Sequence, residues 1–203
     1  MEQTKQYEYV DLGLPSGLKW AKCNVGAENE TEYGDYFMWG STIPNNDTPC
    51  DWEHAPFNNG LDSYNEEYFT SHKSEWLDDN GNLKTEFDAA RAIMGGDWRM
   101  PTKAEIQELL DYTSNKWTRV NGVYGRKFTG SNGNSIFIPA ADFRLGSSFY
   151  GREDYSGDIW SSSLFTSRPK NAWYLNFFSD DFYVDYADRN YGLMVRGVYE
   201  NLL

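Results

Sequence analysis

Side chains able to do chemistry are few in this sequence, and their spacing matches no familiar metal site. The two histidines, His54 and His72, have no cysteine or second histidine at the spacing of a zinc site. The Asp78-Asp79-Asn80-Gly81-Asn82 run has its glycine at the fourth position, whereas a calcium-binding EF-hand loop needs it at the sixth. We therefore interpret this run as a turn, and we expect no metal and no cofactor.

Candidates for catalysis have simpler explanations. Ser161-Ser162-Ser163 has no nearby histidine, and the sequence contains neither a Gly-x-Ser-x-Gly motif nor a phosphate-binding loop. We interpret the three serines as a sheet edge or turn. Glu105 and Glu108 follow Thr102 in the pattern of a capped helix, which accounts for both carboxylates. The sequence therefore predicts a protein that is not an enzyme.

The two cysteines, Cys23 and Cys50, lie within the first 50 residues. We expect free thiols, because a chain of 203 residues does not need a disulfide to hold its core together. A single disulfide is the alternative.

Aromatic rings are concentrated near the C-terminus. Residues 144–191 contain 13 aromatic residues in 48, with 5 basic and 7 acidic side chains, whereas residues 1–143 contain 12 basic and 23 acidic ones. Tyr and Trp give rigid contact area, and Ser, Gly and Asn adapt their hydrogen bonds, as in antibody binding loops. This contrast predicts a soluble acidic frame that carries a ligand-binding segment at about 145–191.

The candidate ligand-binding residues are the rings, arginines and polar neighbours of this segment, which we expect on displayed strand faces and loops. They are Ser148, Phe149, Tyr150, Arg152, Tyr155, Phe165, Arg168, Trp173, Phe178, Asp180, Asp181, Phe182, Tyr183, Asp185, Tyr186, Asn190 and Tyr191. Because side chains alternate along a strand, the opposite faces should be buried. The expected core residues are Trp160, Leu175, Phe177, Val184, Val195 and Val198.

Charge and hydropathy narrow the classes of partner. The formal net charge of -13 argues against nucleic acid and against anionic membrane surfaces. No apolar run approaches the roughly 18 residues of a membrane-spanning helix, so we expect no membrane insertion. The first residues do not resemble a signal peptide. Either the protein is not exported by that route, or the chain begins after such a signal.

The hydrophobic pattern predicts an α+β fold in which two helices pack on short antiparallel sheets with long irregular loops. The first helix should run from Phe87 to Met94, with Thr85 as N-cap and Gly95-Gly96 as its end. The second should begin at the capping box Thr102-Lys103-Ala104-Glu105. Residues 41–82 are expected to be irregular. Predicted strands are Tyr7–Leu12, Tyr33–Trp39, Val120–Phe128, Ser135–Pro139, Trp173–Phe177, Phe182–Tyr186 and Leu193–Tyr199.

Around Gly96-Asp97-Trp98-Arg99-Met100-Pro101-Thr102, the chain resembles the bacterial paralogous family built on the GGxWRxPT motif, which is abundant in gut Bacteroidetes and Fibrobacter. Further stretches resemble that family in the same order. They are Tyr9 to Ala21, Tyr33 to Phe37 with Trp39-Gly40, Asn132 to Ala141, Trp160 to Ser163, and Tyr191 to Arg196. The resemblance covers roughly residues 7–199 and implies one domain, residues 1–203, of C-type lectin-like fold.

The resemblance also implies a function. The family includes the variable proteins of diversity-generating retroelements, whose C-terminal ligand-binding surface is rewritten by mutagenesis directed to adenines. Their fixed frame resembles Trp160 to Ser163 and Arg189 to Arg196 of this chain. The sequence lacks the Glu-Pro-Asn and Trp-Asn-Asp signatures of calcium-dependent sugar-binding lectins, so a lectin-like fold does not by itself imply sugar binding.

The leading interpretation is a hypervariable binding or adhesion protein of a phage or gut bacterium, located on a virion or on the bacterial cell surface, or secreted. Its expected ligand is a protein or glycan on another cell. One alternative is a surface or secreted lectin-like or fimbrial-associated protein of fixed specificity. The other is an enzyme of the formylglycine-generating type, although such enzymes use redox cysteines in their C-terminal part. The resemblance leaves the oligomeric state open.

Overall fold

The computed structural model describes residues 6–141, 143–150 and 155–200, and within them it has an α+β architecture, as predicted. Its helices are α1 (Glu66–Trp76), α2 (Ala89–Met94) and α3 (Lys103–Tyr112), with a 3₁₀ turn at Thr85–Phe87. Its strands are β1 (Tyr9–Asp11), β2 (Lys19–Ala21), β3 (Tyr36–Phe37), β4 (Trp98–Arg99), β5 (Thr113–Val120), β6 (Val123–Gly130), β7 (Ser135–Pro139), β8 (Phe143–Leu145), β9 (Ser148–Tyr150), β10 (Ser156–Leu164), β11 (Asn171–Phe178), β12 (Phe182–Asp188), β13 (Leu193–Met194) and β14 (Val198–Tyr199).

Helix α1 corrects the prediction that residues 41–82 are irregular throughout and that the chain has two helices. It begins after Asn65, whose side chain accepts a hydrogen bond from the Tyr68 amide. Phe69 and Trp76 are the buried residues of this helix, so its sequence lacks the continuous apolar stripe that reveals most helices. None of the described helices is long and apolar enough to cross a bilayer.

Helix α2 begins later than predicted, and its N-cap is Asp88 rather than Thr85. The Asp88 carboxylate accepts hydrogen bonds from the amides of Arg91 and Met100, at 2.9 and 2.7 Å. Residues 85–87 form a 3₁₀ turn before this cap. The predicted end is confirmed, since Gly95 follows the helix with a positive φ of 69°.

Helix α3 has the predicted capping box, in which Thr102 accepts from the Glu105 amide and Glu105 accepts from the Thr102 amide. The Glu105 carboxylate also binds Arg99 through two hydrogen bonds, at 2.6 and 2.7 Å. Burial raises the pKa of Glu105, but its bonds to Arg99 and Thr102 outweigh burial, and the pKa lies below its ordinary value of 4.5. Glu105 therefore has a structural role, as predicted.

Replacing Glu105 by glutamine is expected to lower the free energy of unfolding at neutral pH by about 1–2 kcal/mol. Glutamine keeps the capping geometry but loses the charge that pairs with Arg99. A carboxylate with a lowered native pKa stabilises the fold fully above its unfolded pKa, and this contribution is lost as the pH falls through the native value. In urea denaturation, the wild type and Glu105→Gln should therefore differ at pH 7 and converge well below pH 4.5. An equal difference at both pH values would contradict this account.

The strands form four small sheets among the described residues, and almost all of their pairings are antiparallel. The sheet orders are β1-β2-β14-β4, β12-β11-β10-β13-β3, β5-β6-β7 and β8-β9. The exception is β10 with β13, which is parallel. Ser161, Ser162 and Ser163 lie inside β10, so the prediction of a sheet edge or turn is wrong for them.

Two predicted strands are in fact divided. The predicted strand Val120–Phe128 contains the Asn121-Gly122 turn of the β5–β6 hairpin, where both residues have positive φ. Asn-Gly is the favoured dipeptide of such turns. The predicted strand Leu193–Tyr199 is split into β13 and β14, which belong to different sheets.

Two large hydrophobic clusters form most of the core of the described residues, and the five-stranded sheet contributes to both. A third, small cluster contains Met38, Cys50 and Ala55. The first cluster includes Trp20, Ile106, Phe128, Leu175, Phe177 and Val198. The second includes Trp39, Phe69, Trp160, Leu193 and Val195. The predicted core residues Trp160, Leu175, Phe177, Val195 and Val198 are 0 % exposed, and Val184 packs partly buried against the first cluster.

Candidate functional site

The β11–β12 hairpin carries eight of the seventeen predicted binding residues, and its register decides which of them share a face. Trp173 pairs with Tyr186, Leu175 with Val184 and Phe177 with Phe182, so these residues project from one face. Tyr174 pairs with Asp185, and Asn176 pairs with Tyr183, so these residues project from the other face. The predicted site is therefore divided between two faces of one sheet.

The second of these faces carries rings and carboxylates, and we call it the acidic ring surface. It consists of Tyr155, Asp158, Tyr174, Asn176, Phe178, Tyr183 and Asp185. The Phe178 ring lies 5.8 Å from Tyr155 and 6.2 Å from Tyr183, measured between ring centroids. Tyr155 and Tyr183 are 46 % and 39 % exposed. Beneath them, Asn176 Nδ2 donates to buried Asp158 Oδ1 at 2.6 Å, which gives the surface a polar, hydrogen-bonded floor.

Strands β8 and β9 and the segment after β12 carry another group of rings, which we call the β8–β9 rim: Phe143, Ser148, Phe149, Tyr150 and Tyr191. Phe143 and Tyr191 pack against the second core cluster, as does Tyr174 of the acidic ring surface. Phe143 stacks on Tyr191 with ring centroids 5.2 Å apart and lies 6.0 Å from Tyr150. Phe149 is 57 % exposed and contacts the Tyr36 ring edge-on. Two backbone hydrogen bonds of 2.9 Å between Arg144 and Gly192 join the rim to the segment that follows β12.

The first face displays a different group, which we call the basic ring cluster: Lys103, Phe165, Arg168, Trp173 and Tyr186. The Phe165 ring lies 4.7 Å from Trp173 and 4.4 Å from Tyr186. Lys103 Nζ lies 3.3 Å from the centre of the Trp173 ring, and the Arg168 guanidinium lies 6.0 Å from Tyr186. Both cations are within cation–π range of their rings.

The exposed rings of the two groups, Tyr183 and Tyr186, lie toward opposite ends of the hairpin as well as on opposite faces. At the end where β11 begins, the first face is displayed and the second is covered by Trp160 and the second core cluster. At the other end, the first core cluster covers the first face, where Leu175 and Phe177 are buried, and Tyr183 is displayed on the second face. The exposed ring groups are therefore diagonal to each other across one sheet.

Hydrogen bonds from Arg126 of β6 hold the turn between β11 and β12 in place. Its Nη2 donates to the carbonyl oxygens of Phe178 and Asp181, at 2.6 and 3.2 Å. The Phe178 amide also donates to Asp181 O at 2.8 Å. These bonds place the predicted residues Asp180 and Asp181 on an exposed turn beside the acidic ring surface.

Two of the predicted residues are not displayed as expected. Phe182 lies on the same face as Phe177 and packs against the first core cluster, with the Arg126 guanidinium 4.7 Å from its ring. Asn190 is only 5 % exposed, because it lies in the buried turn that follows β12. Arg152 lies outside the described residues.

A model of the Lcl C-terminal domain family matches residues 13–198. The chain belongs to the Lcl C-terminal domain family. No curated protein and no solved structure matches it. The matched range nearly coincides with the range of the motifs quoted from the sequence. Family membership favours a lectin-like, adhesion-type role for the chain.

In this Lcl C-terminal domain, sequence reasoning missed Tyr174, Asn176 and Asp158. Tyr174 and Asn176 follow from the alternation of side chains along a strand. Because Leu175 and Phe177 are expected to be buried, the even-numbered residues between and beside them must lie on the opposite face. The same rule places Trp173 on the face of Leu175, where Lys103 partly covers it. Lys103 had no sequence signal, because it reaches Trp173 from a different element.

The cysteines and the candidate metal ligands of the Lcl C-terminal domain determine whether the described residues offer a reactive or metal-type arrangement. Cys23 and Cys50 are free thiols, as expected. Cys50 is buried, and burial raises its pKa to about 11, which keeps it protonated at neutral pH. Over the described ranges, no three His, Cys, Asp or Glu side chains are grouped closely enough to hold a metal ion.

Proposed function

We propose that the chain is a non-enzymatic binding protein that presents the acidic ring surface and the β8–β9 rim to a protein or glycan on another cell. The observation that carries the proposal is a pair of ring groups with exposed members in this segment. Phe178 contacts Tyr155 and Tyr183, and Phe143 contacts Tyr150 and Tyr191. Large rings with adaptable polar neighbours are the composition of binding hot spots. Burial, which keeps the Cys50 thiol protonated at neutral pH, argues against Cys50 as a catalytic nucleophile.

The C-type lectin-like fold is part of the same proposal. Three features support it: few helices, small antiparallel sheets and a long irregular segment before α1. In addition, the first and last strands, β1 and β14, both pair with β2 in one sheet. A crystal structure whose sheets connect in a different order would contradict this assignment.

The decisive experiment measures binding of the purified protein to a glycan array and to a panel of intact gut-bacterial cells. For any ligand found, the double variant Tyr155→Ala/Tyr183→Ala should weaken binding by at least about tenfold, which corresponds to about 1.4 kcal/mol. The loss follows from the removal of two partly exposed rings that touch the same Phe178 ring.

Two control variants make the test specific. Tyr112→Ala removes a 58 % exposed ring on α3, and Tyr186→Ala removes a ring of the basic ring cluster. Both should leave binding unchanged. The proposal is wrong if Tyr186→Ala weakens binding as much as the double variant does, or if the double variant binds like the wild type.

We further propose that the gene is diversified by a retroelement, in a phage or gut bacterium, and that the protein acts on a virion or bacterial surface. The ring-rich composition between the Trp160 to Ser163 and Arg189 to Arg196 frames supports this hypothesis. Sequencing the locus should find a near-copy template repeat that differs at adenines, together with a reverse transcriptase gene. Their absence would favour the alternative of a surface protein with fixed specificity.

A further inference from the structure

Carboxylates lie beside and beneath the exposed rings of the acidic ring surface, on two strands. Asp185 of β12 pairs with Tyr174, and Asp158 of β10 pairs with Asn176, which in turn pairs with Tyr183. Since directly paired residues share a face, both carboxylates project on the same side as the rings of Tyr174 and Tyr183. Asp180 and Asp181 add two exposed acids at the adjoining turn.

Burial and these carboxylates raise the pKa values of two tyrosine hydroxyls on the same surface, those of Tyr174 and Tyr183. Burial raises the pKa of Tyr174, and the charges of Asp158 and Asp185 raise it further. Burial also raises the pKa of Tyr183, and Asp185, Asp181 and Asp158 act in the same direction. The charged side chains that shift these two phenols are thus all acidic.

Among the described residues, the arginines nearest to this surface are buried or lie on the opposite face. Arg126 is buried, and its Nη2 donates to the carbonyl oxygens of the β11–β12 turn. The charge of Arg126 also interacts with those of Asp180 and Asp181 at the turn. Arg144 is buried at the rim, where its guanidinium lies 5.3 Å from the Phe149 ring. Arg168 belongs to the basic ring cluster, on the opposite face.

We infer that the acidic ring surface selects a cationic group, the lysine or arginine side chain of a partner protein, over neutral and anionic groups. This inference rests on the proposed function of the surface. Ring faces attract cations through their quadrupole, and carboxylates at their border add charge complementarity. The net charge of -13 further favours the approach of a basic partner.

The test uses three peptides of equal length that differ only in arginine, citrulline or glutamate at the same positions. Citrulline keeps the shape of arginine without its charge. By fluorescence polarisation at low salt, the arginine peptide should bind about tenfold more tightly than the citrulline peptide, and the difference should narrow as salt is added. Asp185→Asn should remove most of this preference, while its side-chain oxygen can still accept the Tyr186 amide hydrogen bond that Asp185 accepts at 2.8 Å.

Asp111→Asn is the matched control, because it removes an exposed carboxylate from α3, and it should leave the preference intact. Equal binding of the arginine and citrulline peptides, tighter binding of the glutamate peptide, or no binding of the arginine peptide would overturn the inference. An unchanged preference in Asp185→Asn would overturn it as well. The double variant Tyr155→Ala/Tyr183→Ala separates the two proposals. If it weakens binding of a ligand while the wild type binds the arginine and citrulline peptides equally, the proposed function stands and only the charge selection fails.

Discussion

Replacing Arg196 by methionine is expected to lower the free energy of unfolding by about 3–5 kcal/mol. Arg196 is 0 % exposed. Its guanidinium donates to Asn24 Oδ1, Ala21 O and Phe137 O, at 2.8, 2.9 and 2.8 Å. Methionine fills much of the same space but donates no hydrogen bond, so these buried acceptors lose their partner.

Urea denaturation at neutral pH measures this effect. Burial lowers the pKa of Arg196 to about 10, so the guanidinium is still charged at pH 7 and its hydrogen bonds are charge-assisted. Arg119→Met makes the same change at an exposed position and should alter stability by no more than about 0.5 kcal/mol. If Arg196→Met costs as little as this control, the three hydrogen bonds do not hold the β2, β7 and β14 regions together.

Replacing Arg189 by alanine is expected to cost a similar amount, about 3–5 kcal/mol, for a different reason. Its buried guanidinium lies 4.0 Å from the Phe69 ring centre and 5.6 to 5.7 Å from the rings of Trp39, Trp52 and Tyr64. Its Nε also donates to Pro169 O at 2.8 Å. The alanine variant loses this hydrogen bond and leaves a cavity among four rings.

Near-ultraviolet circular dichroism should detect the loss directly, because Trp39 and Trp52 lose their fixed surroundings. Arg189→Lys should recover less than half of the lost stability, since a lysine presents a point charge rather than a planar group that stacks on rings. Arg168→Ala removes an exposed arginine from the same neighbourhood and is the control. Full recovery by lysine would show that charge alone matters at this position.

The fold was predictable where one local signal dominated. The capping box of α3 and the glycine after α2 gave correct helix limits, because each satisfies backbone groups within a few residues. Helix α1 was not predictable in the same way, since its stability comes from two rings, Phe69 and Trp76, that pack against distant parts of the chain. The division of residues 193–199 between two sheets likewise depends on strands far away in sequence.

The candidate site was predictable as a segment but not as a surface. Composition located residues 145–191, and exposure of Phe149, Tyr150, Tyr155 and Tyr183 agrees with that prediction. Composition alone does not assign Trp173 and Tyr183 to opposite faces, which requires the pairing register of β11 with β12. Nor does it reveal that Lys103 of α3 covers the Trp173 ring.

The diagonal placement of the two ring groups bears on the number of partners that the domain can bind at one time. A partner that docks on the acidic ring surface leaves the basic ring cluster uncovered, because the sheet itself lies between them. The two groups also differ in the sign of their charge, so they would not compete for the same partner. The two faces of one hairpin thereby leave room for two dissimilar molecules at the same time, one on each side of a single sheet.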